Sequence, residues 1–202
     1  MRIITGKYKG RHFDIPRTFK ARPTTDFAKE NIFNVLTGYI DLEDAEALDL
    51  FSGTGSITLE LLSRGCSHVT SVELDRDHFR FIKECVTKLN LPQPSPWIGI
   101  KGDVFRFLRS CRQQYDFIFA DPPYALKELP QIPDLVLSDK LQVTSDKPTA
   151  ANLSPVTSHL SLLKPEGIFV FEHGKDQDFS QHPCFVDHRQ YGSVNFSIFK
   201  NP

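Results

Sequence analysis

Leu48-Asp49-Leu50-Phe51-Ser52-Gly53-Thr54-Gly55-Ser56 is the most telling stretch of this 202-residue chain. A short apolar run, Ala47–Phe51, leads into two glycines one residue apart, and a helical pattern, Ser56–Arg64, starts straight after them. Glycines at such a junction allow a tight turn and let a ligand come close to the backbone. The helical run stops at Gly65, the preferred residue just past a helix end. Thr58 stands where a dinucleotide fingerprint has its third glycine, which disfavours a pyrophosphate. A cofactor without phosphates fits better, and S-adenosylmethionine (SAM) leads that class. A plain strand-to-helix turn would account for the two glycines taken alone.

Outward from this loop, strand and helix signals alternate. His68–Glu73, Trp97–Ile100, Tyr115–Ala120 and Gly167–Glu172 read as strands. Asp77–Leu89 and Val104–Arg112 read as helices, and Pro155–Leu163 is expected to form a short one. Phe185–Gln190 and Val194–Phe199 alternate around Tyr191-Gly192 and read as a closing antiparallel pair. This order predicts an α/β, Rossmann-like fold: a mostly parallel sheet covered on both faces, with a C-terminal antiparallel hairpin. Upstream, Arg2–Thr5 and His12–Ile15 around Gly6 and Gly10 predict a small β-hairpin. Thr24 or Thr25 is placed to cap a helix from Asp26 to about Leu36. The expected organisation is a basic hairpin extension over 1–24 and a main domain over 25–202. Residues 127–160 are weakly patterned, and a loop insertion is expected at 139–158.

In sheets of this kind the ligand lies beyond the carboxyl ends of the strands. Glu73 ends the second strand, 20 residues after Gly53, where a carboxylate can accept both ribose hydroxyl protons. Asp75 and Asp77 read as caps of the next helix. Asp103 follows the third strand and can accept from an adenine amino group, although alone it would read as a helix cap. After the fourth strand comes Asp121-Pro122-Pro123-Tyr124. An exocyclic base amine is a poor nucleophile because its lone pair is delocalised into the ring. The Asp121 carboxylate and the Pro122 carbonyl can each accept one amine hydrogen and hold the nitrogen in an attacking orientation. The prolines stiffen both acceptors. Tyr124 can stack on a base that has left its helix.

Composition removes other classes. Lys and Arg total 24 against 25 Asp and Glu, and 40 % of residues are hydrophobic, which suits one globular domain and not a disordered chain. No apolar run approaches the ~20 residues of a membrane span, and the first residues lack a signal-peptide core. Cys66, Cys85, Cys111 and Cys184 contain no C-x-x-C pair and read as reduced thiols of a cytoplasmic protein without a metal site. Charge is uneven: residues 1–29 hold eight basic and two acidic side chains, the remainder 16 and 23. A basic segment on an acidic body suggests a polyanion partner. His173 and Trp97 read as structural, and Arg106, Arg109 and Arg112 as a solvated face.

Together with Arg2-Ile3-Ile4-Thr5-Gly6, Arg22-Pro23-Thr24-Thr25-Asp26, Leu62-Ser63-Arg64-Gly65, Glu172-His173 and Tyr191-Gly192, these motifs resemble the RsmD family across nearly the whole chain. Its members are bacterial SAM-dependent methyltransferases of guanine N2 in 16S ribosomal RNA. The resemblance implies a class I methyltransferase fold with a seven-stranded sheet. It implies that Asp49, Phe51, Ser52, Gly53, Thr54, Gly55, Glu73 and Asp103 hold SAM, with Arg22 and Thr24 closing over it. It implies that Asp121, Pro122, Pro123 and Tyr124 hold the target amine. Arg2, Lys7, Lys9 and Arg11 would grip rRNA of the small ribosomal subunit, and a monomer is the expected state. A DNA adenine-N6 methyltransferase and a non-catalytic SAM-binding factor of ribosome assembly stay open as alternatives. A NAD(P)-dependent reductase is disfavoured by the missing third glycine and by the lack of a Tyr-x-x-x-Lys pair.

Overall fold

The computed structural model describes residues 1–19, 25–138, 140–141, 158–159 and 161–202. Its strands are β1 (Glu46–Leu50), β2 (His68–Glu73), β3 (Trp97–Lys101), β4 (Tyr115–Ala120), β5 (Lys140–Leu141), β6 (Ser158–His159), β7 (Leu163–His173), β8 (Phe185–Tyr191) and β9 (Val194–Lys200). Its helices are α1 (Asp26–Leu36), α2 (Ser56–Ser63), α3 (Arg76–Leu89), α4 (Val104–Ser110) and α5 (Ile132–Leu137). Seven strands form one sheet in the order β3-β2-β1-β4-β7-β9-β8, and β5 pairs with β6. The first five strands of that sheet run parallel, whereas β9 is antiparallel to both neighbours. The connections leave β1 toward one edge and β4 toward the other. The switch point, where a ligand crevice opens, therefore lies above the ends of β1 and β4.

Side-chain alternation along the strands divides the core into two layers. Ala47, Phe117, Phe119, Ile168, Val170 and Phe196 pack with the buried faces of α1, α2 and α3. Leu48, Leu50, Ile118, Ala120, Phe169 and Phe171 pack with α4 and α5 on the other side. Covering on both faces explains the unbroken apolar run Phe117–Ala120. Among the described residues no helix is long and apolar enough to cross a membrane.

Helix ends follow the local chemistry. Thr25 caps α1 by accepting from Ala28 N. Asp75 caps α3 by accepting from Asp77 N and His78 N, and Asn90 ends that helix in the left-handed region at φ 52°. Two features depart from expectation. Ser158–His159 is a strand and Ser161–Leu162 is not helical, so a helix over Pro155–Leu163 does not form there. The Leu162 backbone is taken up laterally, its N–H by Val136 O and its carbonyl by Tyr115 N. The strand read as Gly167–Glu172 starts earlier, at Leu163, behind a register shift between Tyr115 and Phe117. Lys164 in that bulge reaches Glu46 at 2.8 Å and Asp116 at 2.9 Å. Pro130 and Pro133 sit in the first turns of a 3-10 turn and of α5, where no N–H is needed. Most of the expected 139–158 insertion lies outside the described residues.

The N-terminal ribbon is part of the main core. One antiparallel bridge, Arg2 with His12, holds it, and Ile3 and Phe13 are buried. Its anchor is a buried charge network. Glu60, on α2, accepts from Ile4 N at 2.8 Å, Thr5 N at 3.0 Å and Arg64 Nε at 3.0 Å. Lys29, on α1, lies 3.7 Å from Glu60 and donates to Arg2 O at 2.7 Å and Ser56 Oγ at 3.0 Å. Burial lowers the Lys29 pKa, and Glu60 opposes that shift. Gly6 (φ +86°) passes so close to α2 that a Cβ would lie 1.9 Å from Ser63 O. Thus two motifs distant in sequence, Ile3-Ile4-Thr5-Gly6 and Leu62-Ser63-Arg64, are one packing unit. Glu60→Ala would leave Lys29 buried without its counter-charge and is expected to cost about 3–5 kcal/mol in urea denaturation. A loss below ~1 kcal/mol, the range of an exposed pair, would show that the network does not anchor the ribbon.

Candidate functional site

The loop after β1 is built from left-handed residues: Phe51 (φ 59°), Gly53 (φ 52°) and Gly55 (φ 77°). A Cβ on Gly55 would come within 2.8 Å of Ile82 Cγ1, so packing against α3 requires glycine. At Gly53 a Cβ would meet only Phe51 O, at 3.8 Å, so this glycine serves the turn and leaves its backbone open to a ligand. Beneath the loop, Asp49 Oδ2 accepts from Thr58 N at 3.0 Å and Thr58 Oγ1 at 2.5 Å. The residue that replaces the third glycine thus ties α2 to β1. Burial pushes the Asp49 carboxyl up to about 7, against the Thr58 hydrogen bonds.

Glu73 reaches from β2 into this loop. Its Oε2 accepts from Gly53 N at 2.7 Å and its Oε1 from Asp75 N at 2.7 Å. Each oxygen retains a lone pair for a hydroxyl donor. Leu74 beside it is 62 % exposed, and Phe51 meets Phe105 edge-on with centroids 6.2 Å apart. Neither Leu74 nor Phe105 carries a sequence signal; their exposure and contact identify them. Asp103 is exposed, and its Oδ1 caps α4 through Arg106 N at 2.8 Å.

Asp121 follows β4 directly, and its N–H donates to Leu50 O at 3.3 Å, which fastens it to the start of the glycine loop. Pro122 is buried, whereas Pro123 and Tyr124 are exposed. The Tyr124 hydroxyl donates to Glu172 Oε1 at 3.0 Å. The Tyr124 ring lies beside Gly174, where a Cβ would be 3.5 Å from Cδ2. Burial, then the Glu172 and Asp49 charges, hold the Asp121 carboxyl well above its usual range. Burial and Glu172 also raise the Tyr124 hydroxyl. Glu172 carries no role in the sequence reading beyond its place in a motif. His173 is buried, with Nδ1 at 2.8 Å from Gly174 O and Nε2 at 2.8 Å from Ser197 Oγ; burial lowers its pKa. Trp97 anchors a strand through Ser71 Oγ at 2.8 Å.

The basic side chains divide along the ribbon. Met1 Sδ lies 3.6 Å from Thr54 Oγ1, so Arg2 is near the loop, where its Nε is 3.5 Å from Asp26. Lys7 N bonds Ser63 O at the far end of α2, a helix of eight residues and about 12 Å. Lys7, Lys9 and Arg11 are exposed, and Arg11 Nη1 donates to Lys88 O at 2.8 Å. The structure therefore brings Arg2 toward the crevice but places Lys7 at the opposite end of α2. Arg22 and Thr24 lie outside the described residues. Among the described residues no group of three His, Cys, Asp or Glu could hold a metal ion.

Residues 1–145 match the family model described as Conserved hypothetical protein 95. The chain is 35 % identical over 205 residues to the Ribosomal RNA small subunit methyltransferase D of Haemophilus influenzae, covering 100 % of this chain and 94 % of that protein. It is similar in structure to a putative methyltransferase from Escherichia coli, with a TM-score of 0.76 and 23 % identity over 100 % of this chain and 97 % of that one. It is also similar to a putative methyltransferase solved in complex with S-adenosylhomocysteine, with a TM-score of 0.61 and 15 % identity over 85 % and 49 %.

The raised Asp49 group has a measurable consequence. Its folded form binds a proton more tightly than its unfolded form, so its contribution to stability falls as pH rises from about 4 to about 7. Asp49→Asn keeps an acceptor for Thr58 and removes that loss. The melting-temperature difference, variant minus wild type, is expected to grow more positive between about pH 5 and about pH 8. A difference flat across that range would show that Asp49 ionises without penalty.

Proposed function

Because the chain belongs to the RsmD family, we propose that it is a SAM-dependent methyltransferase that modifies the exocyclic N2 amine of a guanine in 16S ribosomal RNA. The observation that carries this reading is the Asp121 N–H bond to Leu50 O, which sets the amine-binding motif against the glycine loop at the switch point. A cofactor site and an amine site side by side are what a direct transfer between them requires.

The residues present suit SAM. Gly53 offers open backbone and Glu73 faces the same loop with acceptor capacity for a ribose diol. Leu74, Phe51 and Phe105 offer apolar surface for an adenine ring. Asp103 keeps a second oxygen for an amino group while its first caps α4. When bound, SAM supplies a methyl group on a positively charged sulfur, a good leaving group.

The chain's own contribution is to make the amine nucleophilic. Asp121 and the Pro122 carbonyl accept the two amine hydrogens and turn the nitrogen lone pair out of conjugation. Pro122 and Pro123 limit the motion of both acceptors. Tyr124, 47 % exposed, stacks on the base, which must first leave its neighbours in the RNA. The half of the ribbon near Thr54 supports the RNA beside the crevice, and Lys7 and Lys9 reach phosphates farther along it.

Labelled methyl transfer to undermethylated small subunits, naked 16S rRNA and duplex DNA, with nucleoside analysis, tests the assignment. N2-methylguanosine on a ribosomal substrate is expected. Asp121→Ala is expected to lower turnover on the order of 100-fold or more while SAM affinity stays within a few-fold, since the residue positions the acceptor. N6-methyladenine in DNA would reassign the substrate, and SAM binding without transfer to any substrate would favour the non-catalytic alternative.

A further inference from the structure

Phe27 has no part in the mechanism above, and at 67 % exposure it lies open to solvent on the first turn of α1. Its ring meets that of Tyr191 at right angles, with centroids 6.2 Å apart. Tyr191 is the last residue of β8, and its ring lies 6.1 Å from that of Phe196, which lies 6.2 Å from that of Phe119. Both Phe27 and Tyr191 stand at the carboxyl end of the parallel strands. Asp26, beside Phe27, reaches Arg2, and Met1 next to it touches Thr54 of the glycine loop. The turn after Tyr191 lies past the pair His173 and Asn195, where β7 ends.

Face and register connect these rings to the amine site. Side chains two residues apart share a face. Asp121 follows Phe119 by two residues, and Glu172 pairs with Phe196. Arg189 pairs with the same Phe196 and lies two residues before Tyr191. An aromatic row therefore runs from Phe119 through Phe196 to Tyr191 and Phe27, on the face that carries Asp121. Tyr124 lies against Gly174, just past β7, and Tyr191 stands two strands farther on, about 10 Å away. Helix α1 is fixed over this edge. Lys29 ties it to Glu60, and Tyr39, just past its end, donates to Asp187 of β8 at 2.9 Å.

The surroundings indicate what the rings can hold. Arg2 shares its charge with Asp26, and Arg189 with Asp187. Such balanced charge suits the face of a base better than a phosphate. Phe27 still belongs to the basic segment 1–29, which favours a polyanion. Two rings are too little for a stable protein interface, which buries about 1,200 Å² or more. Drawing a target base out of its stack uncovers the face of its neighbour, and an aromatic ring restores that contact. On the methyl-transfer reading, we propose that Phe27 and Tyr191 form a stacking platform for an unpaired base that neighbours the target guanine in the RNA. That base does not react, so the platform binds it equally before and during transfer. It therefore acts on KM and not on kcat.

Phe27→Ala, Phe27→Leu and Phe27→Trp test this in steady-state methyl transfer to the ribosomal substrate, with nucleoside analysis of the product. Phe27→Ala and Phe27→Leu remove the aromatic face. Each is expected to raise KM about fivefold to a hundredfold, with kcat within about threefold of wild type. Because the ring is exposed, neither is expected to shift the melting temperature. Phe27→Trp keeps a face and is expected to leave KM within about threefold of wild type. With Phe27 replaced by photoreactive benzoylphenylalanine, cross-links are expected to rRNA bases that flank the methylated guanine. An unchanged KM in Phe27→Ala, a loss confined to kcat, or a Phe27→Leu enzyme that matches wild type would overturn the platform. Cross-links only to a ribosomal protein or to remote rRNA would do the same. A wild-type enzyme that forms no methylated guanine on any substrate would instead overturn the functional reading on which the platform rests.

Discussion

A single backbone hydrogen bond, from Asp121 N–H to Leu50 O, joins the loop after β1 to the loop after β4. It continues the β1–β4 ladder by one step beyond the pair Leu50 and Ala120. Everything chemical in the molecule is arranged around that seam. The glycine turn rises on one side, and the Asp-Pro-Pro-Tyr turn on the other. Because connections diverge from these two strands, the switch point where such sheets bind their ligands lies above them. The same seam removes freedom: a shift of either loop would have to break the ladder below it.

The buried charges form two separated groups, and the separation has a physical basis. Lys29, Glu60 and Arg64 lie between α1, α2 and the ribbon, where the Glu60 carboxylate meets two backbone N–H groups and both cations. Such a pair adds little net stability over an apolar substitute but is costly to break, so it fixes where the ribbon sits. Asp49, Asp121 and Glu172 lie instead along the strand ends, on one face of the sheet. Burial pushes the Asp49 and Asp121 carboxyls upward, helped by the Glu73 charge at Asp49 and by the Glu172 and Asp49 charges at Asp121. A group of like charges lowers stability where it stands, which is the usual mark of a working site. Ser56 lies between the two groups: its hydroxyl accepts from Lys29 and its chain position follows Gly55. The ribbon is thereby connected to the loop through Lys29, as well as through Met1 and Thr54.

The parallel strands, α1 and the site loops were legible because local rules and global packing agree there. Strand β4 is apolar throughout because both its faces are covered, and α1 begins where Thr25 can cap it. The glycine loop and the Asp-Pro-Pro-Tyr turn announce themselves because their chemistry demands unusual residues. What stayed hidden depends on contacts between distant positions. Nothing near Glu172 in sequence shows that it meets Tyr124, 48 residues earlier. Gly6 reads as a hairpin glycine until Ser63 is found against it. Leu74 and Phe105 look like ordinary apolar residues, and only the exposure of Leu74 just past β2 and the edge-on contact of Phe105 with Phe51 set them apart. The start of β7 was missed because a bulge at Lys164–Glu166 interrupts its period, with Glu166 at φ 63°.

On the proposed function, the ribbon is a part of this chain that meets the RNA. Its apolar residues Ile3 and Phe13 join the main core, so its basic residues are displayed from a rigid support. Rigidity at that position has a direct effect on substrate use. Phosphate contacts set register and orientation, while base contacts select the nucleotide. A ribbon fixed to α2 spreads its basic residues along that helix, with Arg2 near the glycine loop and the Lys7 backbone at Ser63, a helix length away. An RNA strand that satisfies both ends can present only a limited stretch of nucleotides to the crevice. On that reading, the spacing between the Glu60 anchor and the β1–β4 seam limits which nucleotides can reach Asp121.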